Sequence, residues 1–103
     1  MVVFQPHTYS RTKTLFHEFL NSFYNADEVV LTKTFSAREK YNYWGSAKYL
    51  AKKLNQKYIK TQKEVKDFII KKLSQNCLVL TLGAGNIYEI TKSVDKLLLK
   101  QKN

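Results

Sequence analysis

Acidic residues are scarce in this chain. Eight Asp and Glu face eighteen Lys and Arg, leaving a formal net charge of +10 over 103 residues. There is one cysteine, Cys77, so no internal disulfide can form. It lies in the apolar run Cys77-Leu78-Val79-Leu80, where an inert buried thiol is expected rather than a catalytic one. One proline and three glycines leave little room for linkers or hinges, and no repeat or low-complexity tract is present. No apolar run approaches the roughly 20 residues that cross a bilayer. None reads as a signal peptide either, because Val2-Val3-Phe4 is short and has no basic residues before it. A cytoplasmic location is the resulting expectation.

Several chemistries lack their residues. There is no G-x-x-x-x-G-K-[ST] phosphate loop, no pair of acids spaced to hold Mg²⁺ and no metal-ligand cluster. No Ser/His/Asp or Cys/His set has a supporting context. Gly83-Ala84-Gly85 lacks the third glycine and the later acid of a dinucleotide fingerprint, since Asn86, Ile87 and Tyr88 follow; a tight turn is the better reading. The lysines recur on the polar faces of helical segments. A solvated surface is therefore preferred over a nucleic-acid interface, although a small basic nucleic-acid- or nucleotide-binding domain stays open as the alternative.

What is present is a regular alternation of short apolar runs and amphipathic segments. Val2-Val3-Phe4 reads as a strand stopped by Pro6. A helix capped by Ser10 or Thr12 follows, with Leu15, Phe16, Phe19, Leu20 and Phe23 on one face and His17 on the polar side; Asn25-Ala26-Asp27 ends it. Glu28–Phe35 is a second strand, rich in β-branched residues. Ser36-Ala37-Arg38-Glu39 has the S-x-x-E pattern of a capping box. The Tyr41–Gly45 segment is expected to be a loop. Ser46 caps a helix carrying Ala47, Leu50, Ala51 and Leu54. Tyr58-Ile59 is a third strand. Thr61 and Glu64 form a second capping box, before a helix with Val65, Phe68, Ile69 and Leu73 on its inner face. Cys77–Leu82 reads as a fourth strand buried on both faces. Asn86 caps a final helix with Ile87, Ile90, Val94, Leu97 and Leu98 as its core stripe; Lys96, Lys100 and Lys102 suit the negative end of its dipole. The order β-α-β-α-β-α-β-α predicts one α/β domain over residues 1–103. Its fold is a Rossmann-like parallel sheet of about four strands with helices on both faces.

The first strand opens onto Phe4-Gln5-Pro6-His7-Thr8-Tyr9-Ser10-Arg11-Thr12. Open α/β sheets place ligands outside the carboxyl ends of their strands. His7 and Arg11 at a helix mouth suit a carboxylate or phosphate, because a guanidinium can bond two oxygens at once and helix N–H groups favour anions. A purely structural role, with Arg11 paired to an acid and His7 capping a loop, fits the residues equally well.

This string resembles the F-Q-P-H-x-[YF]-[ST]-R-T signature of the UDP-N-acetylmuramate–L-alanine ligases, a branch of the Mur ligases of peptidoglycan synthesis, where it lies in the C-terminal domain. Ser36-Ala37-Arg38-Glu39 is similar to an S-x-R-E run of some members, and Leu82-Gly83-Ala84-Gly85-Asn86-Ile87 to a late L-G-A-G-[DN]-I turn. The resemblance covers nearly the whole chain but only the last of three domains. It implies a Rossmann-like fold and a role in an ATP- and Mg²⁺-dependent amide-forming ligase that joins UDP-N-acetylmuramate to L-alanine. It implies substrate contacts at His7, Thr8, Tyr9 and Arg11, with Ser36, Arg38, Glu39, Gly83 and Gly85 as supporting or loop residues. Thr8 departs from the Arg that many members carry. The phosphate loop, the metal ligands and the UDP-binding part belong to the family's other two domains, and its D-Y-G-H-H-P segment is missing here. No catalytic residue, metal or cofactor is therefore expected in this chain alone. The chain is expected to be an inactive piece of a longer ligase, a truncated product or a decayed remnant, whose partners are the missing domains.

Overall fold

A computed structural model describes residues 1–23, 26–83 and 85–102. The chain runs β1 (Val2–Gln5), α1 (Tyr9–Thr14), α2 (Phe16–Ser22), β2 (Val29–Thr32), a 3-10 turn (Tyr43–Gly45), α3 (Ala47–Leu54), β3 (Lys57–Ile59), α4 (Gln62–Ser74), β4 (Leu80–Gly83) and α5 (Asn86–Lys102). The four strands form one sheet in the order β3-β2-β1-β4, and every pairing is parallel. The doubly wound α/β fold expected from the alternating pattern is the fold found.

The strand period of two assigns the core. Val3, Val30 and Ile59 face one side, where Val65 and Ile69 of α4 and Ile87, Ile90 and Val94 of α5 cover them. Val29 and Leu31 face the other side. Ala47, Leu50 and Ala51 of α3 close it, with Phe16, Phe19 and Leu20 of α2 packed at the margin. All four residues of β2 are buried, as a strand sandwiched between two helix layers must be. No helix among the described residues is long and apolar enough to cross a membrane.

Four expectations need correction. The first helix is broken at Leu15 and is capped by Thr8, not by Ser10 or Thr12. One turn ahead of the break, the Thr12 hydroxyl bonds the Thr8 carbonyl and the Thr12 N–H is left at 3.3 Å, a competition that bends helices. The second strand stops at Thr32, and beyond it only an isolated bridge joins Phe35 to His7. The segment expected as a loop contains the Tyr43–Gly45 turn of 3-10 helix. The fourth strand begins at Leu80 and is not buried on both faces: Leu78 is 84%, Leu80 53% and Leu82 38% exposed. It is the sheet edge beside β1. Leu80 and Leu82 align with Val2 and Phe4, on the side that α2 and α3 cover only farther in. Cys77, just before it, is half-buried.

The starts of α3 and α4 follow the sequence. Ser46 accepts from the Tyr49 N–H at 3.1 Å, and Thr61 accepts from the Glu64 N–H at 3.2 Å. The expected stop at Asn25 and the side chains of Lys100 and Lys102 lie outside the described residues.

Gly45 fixes how closely the 3-10 turn approaches α1. It is buried, and a Cβ there would collide with the Tyr9 carbonyl oxygen. That neighbour is backbone at a helix start and cannot swing aside. Gly45→Ala is expected to destabilise the fold by about 3 kcal/mol or more, the upper range of overpacking. Lys48→Ala, on the exposed side of α3, should stay within about 0.5 kcal/mol. Urea midpoints of the two variants check this.

Candidate functional site

The path of the chain defines the crevice. From β1 it winds outward through β2 and β3, then returns to the other side of β1 for β4, so the direction reverses between β1 and β4. The carboxyl ends of these two strands, Gln5 and Gly83, are paired there. Ligands of such sheets sit at this reversal. Of the residues singled out from the sequence, His7–Arg11, Gly83 and Gly85 flank it.

Gln5 closes the floor. Its side chain is buried, its Nε2 donates to the Lys33 carbonyl at 3.1 Å, and its Oε1 accepts from the Ile87 N–H at 2.8 Å. One amide thus ties the end of β1 to the exit of β2 and to the first turn of α5. Asn86, expected as the cap of that helix, is instead its first residue, and Gln5 satisfies the N–H beyond it. Above Gln5, the loop after β2 pairs with the loop after β1. The Thr8 N–H donates to the Phe35 carbonyl at 2.7 Å, and the Phe35 N–H donates to the Pro6 carbonyl at 2.9 Å. The His7 ring stacks on Phe35 with centroids 5.4 Å apart. Gly85 lies against the same ring, where a Cβ would come within 2.8 Å of it. His7, Phe35 and Gly85 are therefore brought together, with the glycine required by the close approach.

Ser36-Ala37-Arg38-Glu39 does not cap a following helix. Ala37 and Arg38 take φ of 48° and 74°, and the Glu39 N–H returns to the Ser36 carbonyl at 2.9 Å. This is a tight turn, and it sends Glu39 back across the chain. The Glu39 carboxylate accepts from the Tyr9 N–H at 2.7 Å, the Ser10 N–H at 3.0 Å and the Ser10 hydroxyl. The expected capping box does not form; Glu39 instead serves α1, some thirty residues upstream. Its carboxyl is held below the ordinary glutamate range. The Ser10 hydroxyl contributes most, followed by the Ser10 N–H, with smaller contributions from the Tyr9 N–H and the charge of His7, against the opposing effect of burial.

This arrangement revises the helix-mouth reading. The N–H groups of Tyr9 and Ser10 serve Glu39, that of Arg11 serves the Thr8 hydroxyl at 3.2 Å, and that of Thr12 the Thr8 carbonyl. An incoming anion would meet the side chains of His7 and Arg11 rather than the backbone of α1. Arg11 is exposed. The one ion pair among the described residues joins Lys72 to Glu28 at 3.2 Å, so the guanidinium has no carboxylate partner among them. Arg38 is likewise exposed and unpaired there. Ser36 and Arg38 make no hydrogen bond to His7 or Arg11 among the described residues; Glu39 is the member of that run joined to the first motif. Thr8 carries φ 59° and ψ 148° as the N-cap, a strained conformation for a β-branched residue.

With this geometry established, the likeness to known proteins can be weighed. No family model matches the chain. The UDP-N-acetylmuramate–L-alanine ligase of Clostridium botulinum (strain Loch Maree / Type A3) is 41% identical over 93 residues, covering 85% of this chain and 20% of the relative. Its counterpart in Desulfitobacterium hafniense (strain Y51) is 46% identical over 98 residues, covering 89% of this chain and 22% of the relative. That of Lachnospira eligens is 39% identical over 100 residues, covering 92% and 22%. The chain is similar to a C-terminal part of these ligases. It spans about a fifth of the length of the curated relatives it matches.

Sequence reasoning left Gln5, Ser10 and Phe35 without roles in the site. Gln5 carried a signal, as a polar residue at the buried end of an apolar strand. Phe35 carried none, because its stacking on His7 follows from a bridge between two loops.

The Glu39 contacts make a prediction in pH. A carboxyl whose value is depressed in the folded state adds stability above its ordinary value of about 4.3, and this is lost as pH falls through the lower folded value. Glu39→Gln should therefore be less stable than the parent near pH 6, and the two should converge toward pH 3. Urea midpoints across that range test this; a gap independent of pH would sink the assignment.

Proposed function

We propose that residues 1–103 form the C-terminal, substrate-contacting domain of an ATP-dependent ligase that joins L-alanine to UDP-N-acetylmuramate in peptidoglycan synthesis. The observation that carries this reading is the Phe4–Thr12 string. It resembles the family signature, and here it stands at the sheet's reversal with the Arg11 guanidinium unpaired among the described residues. Relatives named for this activity share 39–46% of aligned residues with the chain, which supports the reading.

In this role Arg11 meets the negative charge of a substrate carboxylate or of the reacting centre, where a planar fork of donors is the fitting partner. His7, fixed against Phe35, hydrogen-bonds and orients the substrate. Tyr9 and Thr8 set the turn that presents both. Their backbone is held by Glu39 and by the Phe35 bridge, so the two functional side chains start from a rigid base. The remaining domains of the ligase are the partners, and closure onto them would exclude water from the amide-forming step.

The residues described here do not fit ATP or Mg²⁺. Gly83 and Gly85 pack against Gln5 and Phe35 instead of opening as a phosphate cradle, and no three His, Cys, Asp or Glu side chains converge among the described residues. Activation of the carboxylate is accordingly assigned to the rest of the ligase, and no step through those groups is assigned to this chain.

Two outcomes follow. The purified chain should show no alanine-dependent phosphate release; robust release would overturn the division of labour. In a complete ligase containing this domain, Arg11→Ala should lower kcat/KM at least about tenfold, the loss of one charged contact of roughly 1.4 kcal/mol. Lys53→Ala should stay within about twofold. Equal effects of the two would remove the role given to Arg11.

A further inference from the structure

A cavity of about 310 Å³ lies at the carboxyl ends of β2 and β3, on the α3 side of the sheet. It adjoins the His7–Arg11 surface through Tyr9, but His7 and Arg11 do not line it. Its charged lining consists of Lys33, which follows β2, Lys60, which follows β3, and Lys48, in the first turn of α3; no acid lines it. Tyr9, Tyr41 and Tyr58 add their rings and hydroxyls. The volume falls at the small end of ligand pockets, which run from about 300 to 1,000 Å³.

Three features make this more than a solvated basic face. The walls are fixed. The Ala47 N–H donates to the Thr34 hydroxyl at 2.9 Å, joining the start of α3 to the exit of β2, and the Ser46 hydroxyl donates to the Tyr43 carbonyl at 2.6 Å. The Lys33 backbone is pinned by Gln5. The lysines come from three separate elements, and none is in the one ion pair found among the described residues. The positive end of the α3 dipole adds to their field. Burial above all raises Tyr9 and Tyr58 from their ordinary values, so these two phenols hold their protons, with Tyr41 beside both. They are therefore hydrogen-bond donors in a pocket whose charged groups are all cationic.

We propose that this cavity binds a compact polyanionic phosphate, an organic diphosphate or bisphosphate, with Lys33, Lys48 and Lys60 neutralising its charge and the tyrosine hydroxyls donating to its oxygens. Three ammonium groups, exposed at the cavity rim, match the roughly threefold charge of a diphosphate better than that of a single phosphate, because each added ion pair contributes to the attraction. The inference does not depend on the ligase reading: the three lysines lie outside the Phe4–Thr12 string, and Tyr9 is the one lining residue the two share.

The test uses inorganic pyrophosphate and inorganic phosphate as probes on the full 103-residue chain at about 0.15 M salt, where general surface attraction is screened beyond roughly 8 Å. Binding is followed by calorimetry and by backbone amide shifts. Pyrophosphate should bind at least tenfold more tightly than phosphate, with shifts centred on Lys33, Ser46, Lys48 and Tyr58. Lys33→Ala/Lys60→Ala should weaken it at least tenfold. Lys63→Ala/Lys96→Ala has the same net charge and should change it less than twofold. The amide spectrum of each variant reports whether it has kept the parent fold. Equal losses in the two double variants, shifts spread over every lysine-bearing face, or no preference over phosphate would each overturn the proposal.

Discussion

The carboxylate of Glu39 on the first turn of α1 is the contact on which the arrangement of this site depends. A six-residue helix is too short to hold itself in water, since nucleation is costly and each end leaves donors unpaired. Here the chain supplies the missing acceptor from a loop some thirty residues away, and the Thr8 hydroxyl takes a further donor. The loop after β2 can do this because it is already tied to the loop after β1 through the Phe35 bridge. Two connections that would otherwise be mobile thereby become one body. His7 and Arg11 stand on it; backbone hydrogen bonds hold the turn, and the Phe35 ring holds the imidazole.

That dependence explains what the sequence showed and what it hid. The layered α/β fold was legible because each strand and helix announces itself through local periodicity. Val29–Thr32 is β-branched and apolar, Val65 and Ile69 recur at helical spacing, and Ser46 and Thr61 stand at true helix starts. The errors fall where a signal is local but its partner is distant. Ser36 to Glu39 has the spacing of a capping box, yet Ala37 and Arg38 adopt left-handed backbone and the glutamate caps a different helix. Asn86 looked like a cap, but Gln5 from β1 reaches its helix first. Leu78, Leu80 and Leu82 read as a buried strand because hydrophobicity reports a tendency to be covered, and strand order decides whether a cover is present.

The site was legible to a similar degree. The residues of the first motif could be picked out, and the structure places His7 against Phe35 and Gly85 at the sheet's reversal. Their electrostatic setting could not be read. Helix N-termini favour anions in general, but a protein carboxylate already fills this one, so the attraction left for a ligand comes from side chains. The glycine turn is a further case. Sequence reads it as a tight turn that lets the backbone approach a neighbour, and the space left by the missing Cβ atoms of Gly83 and Gly85 is taken by the Gln5 carbonyl and the Phe35 ring. The glycines here serve close packing around the motif.

The charge of the chain acquires meaning only through this geometry. A surplus of ten positive charges attracts anions in general but selects none, since most of the lysines stand apart in water. Selection requires cations that converge from rigid elements and lack acidic neighbours. The cavity beside α3 meets that condition, and the sheet's reversal meets it in part, because Glu39 lies near His7. At the sheet's reversal a single exposed guanidinium and an imidazole are presented to whatever approaches, an arrangement suited to completing a site whose other wall lies elsewhere. Beside α3, three lysines from three elements surround a cavity whose walls are already hydrogen-bonded, an arrangement that can hold a ligand without a second wall. The first is suited to positioning a substrate and the second to retaining an anion. Because Gln5 pins the Lys33 backbone while capping α5, both are tied to the same buried amide. Tyr9 is a second link, since it lines the cavity and its N–H is held by Glu39.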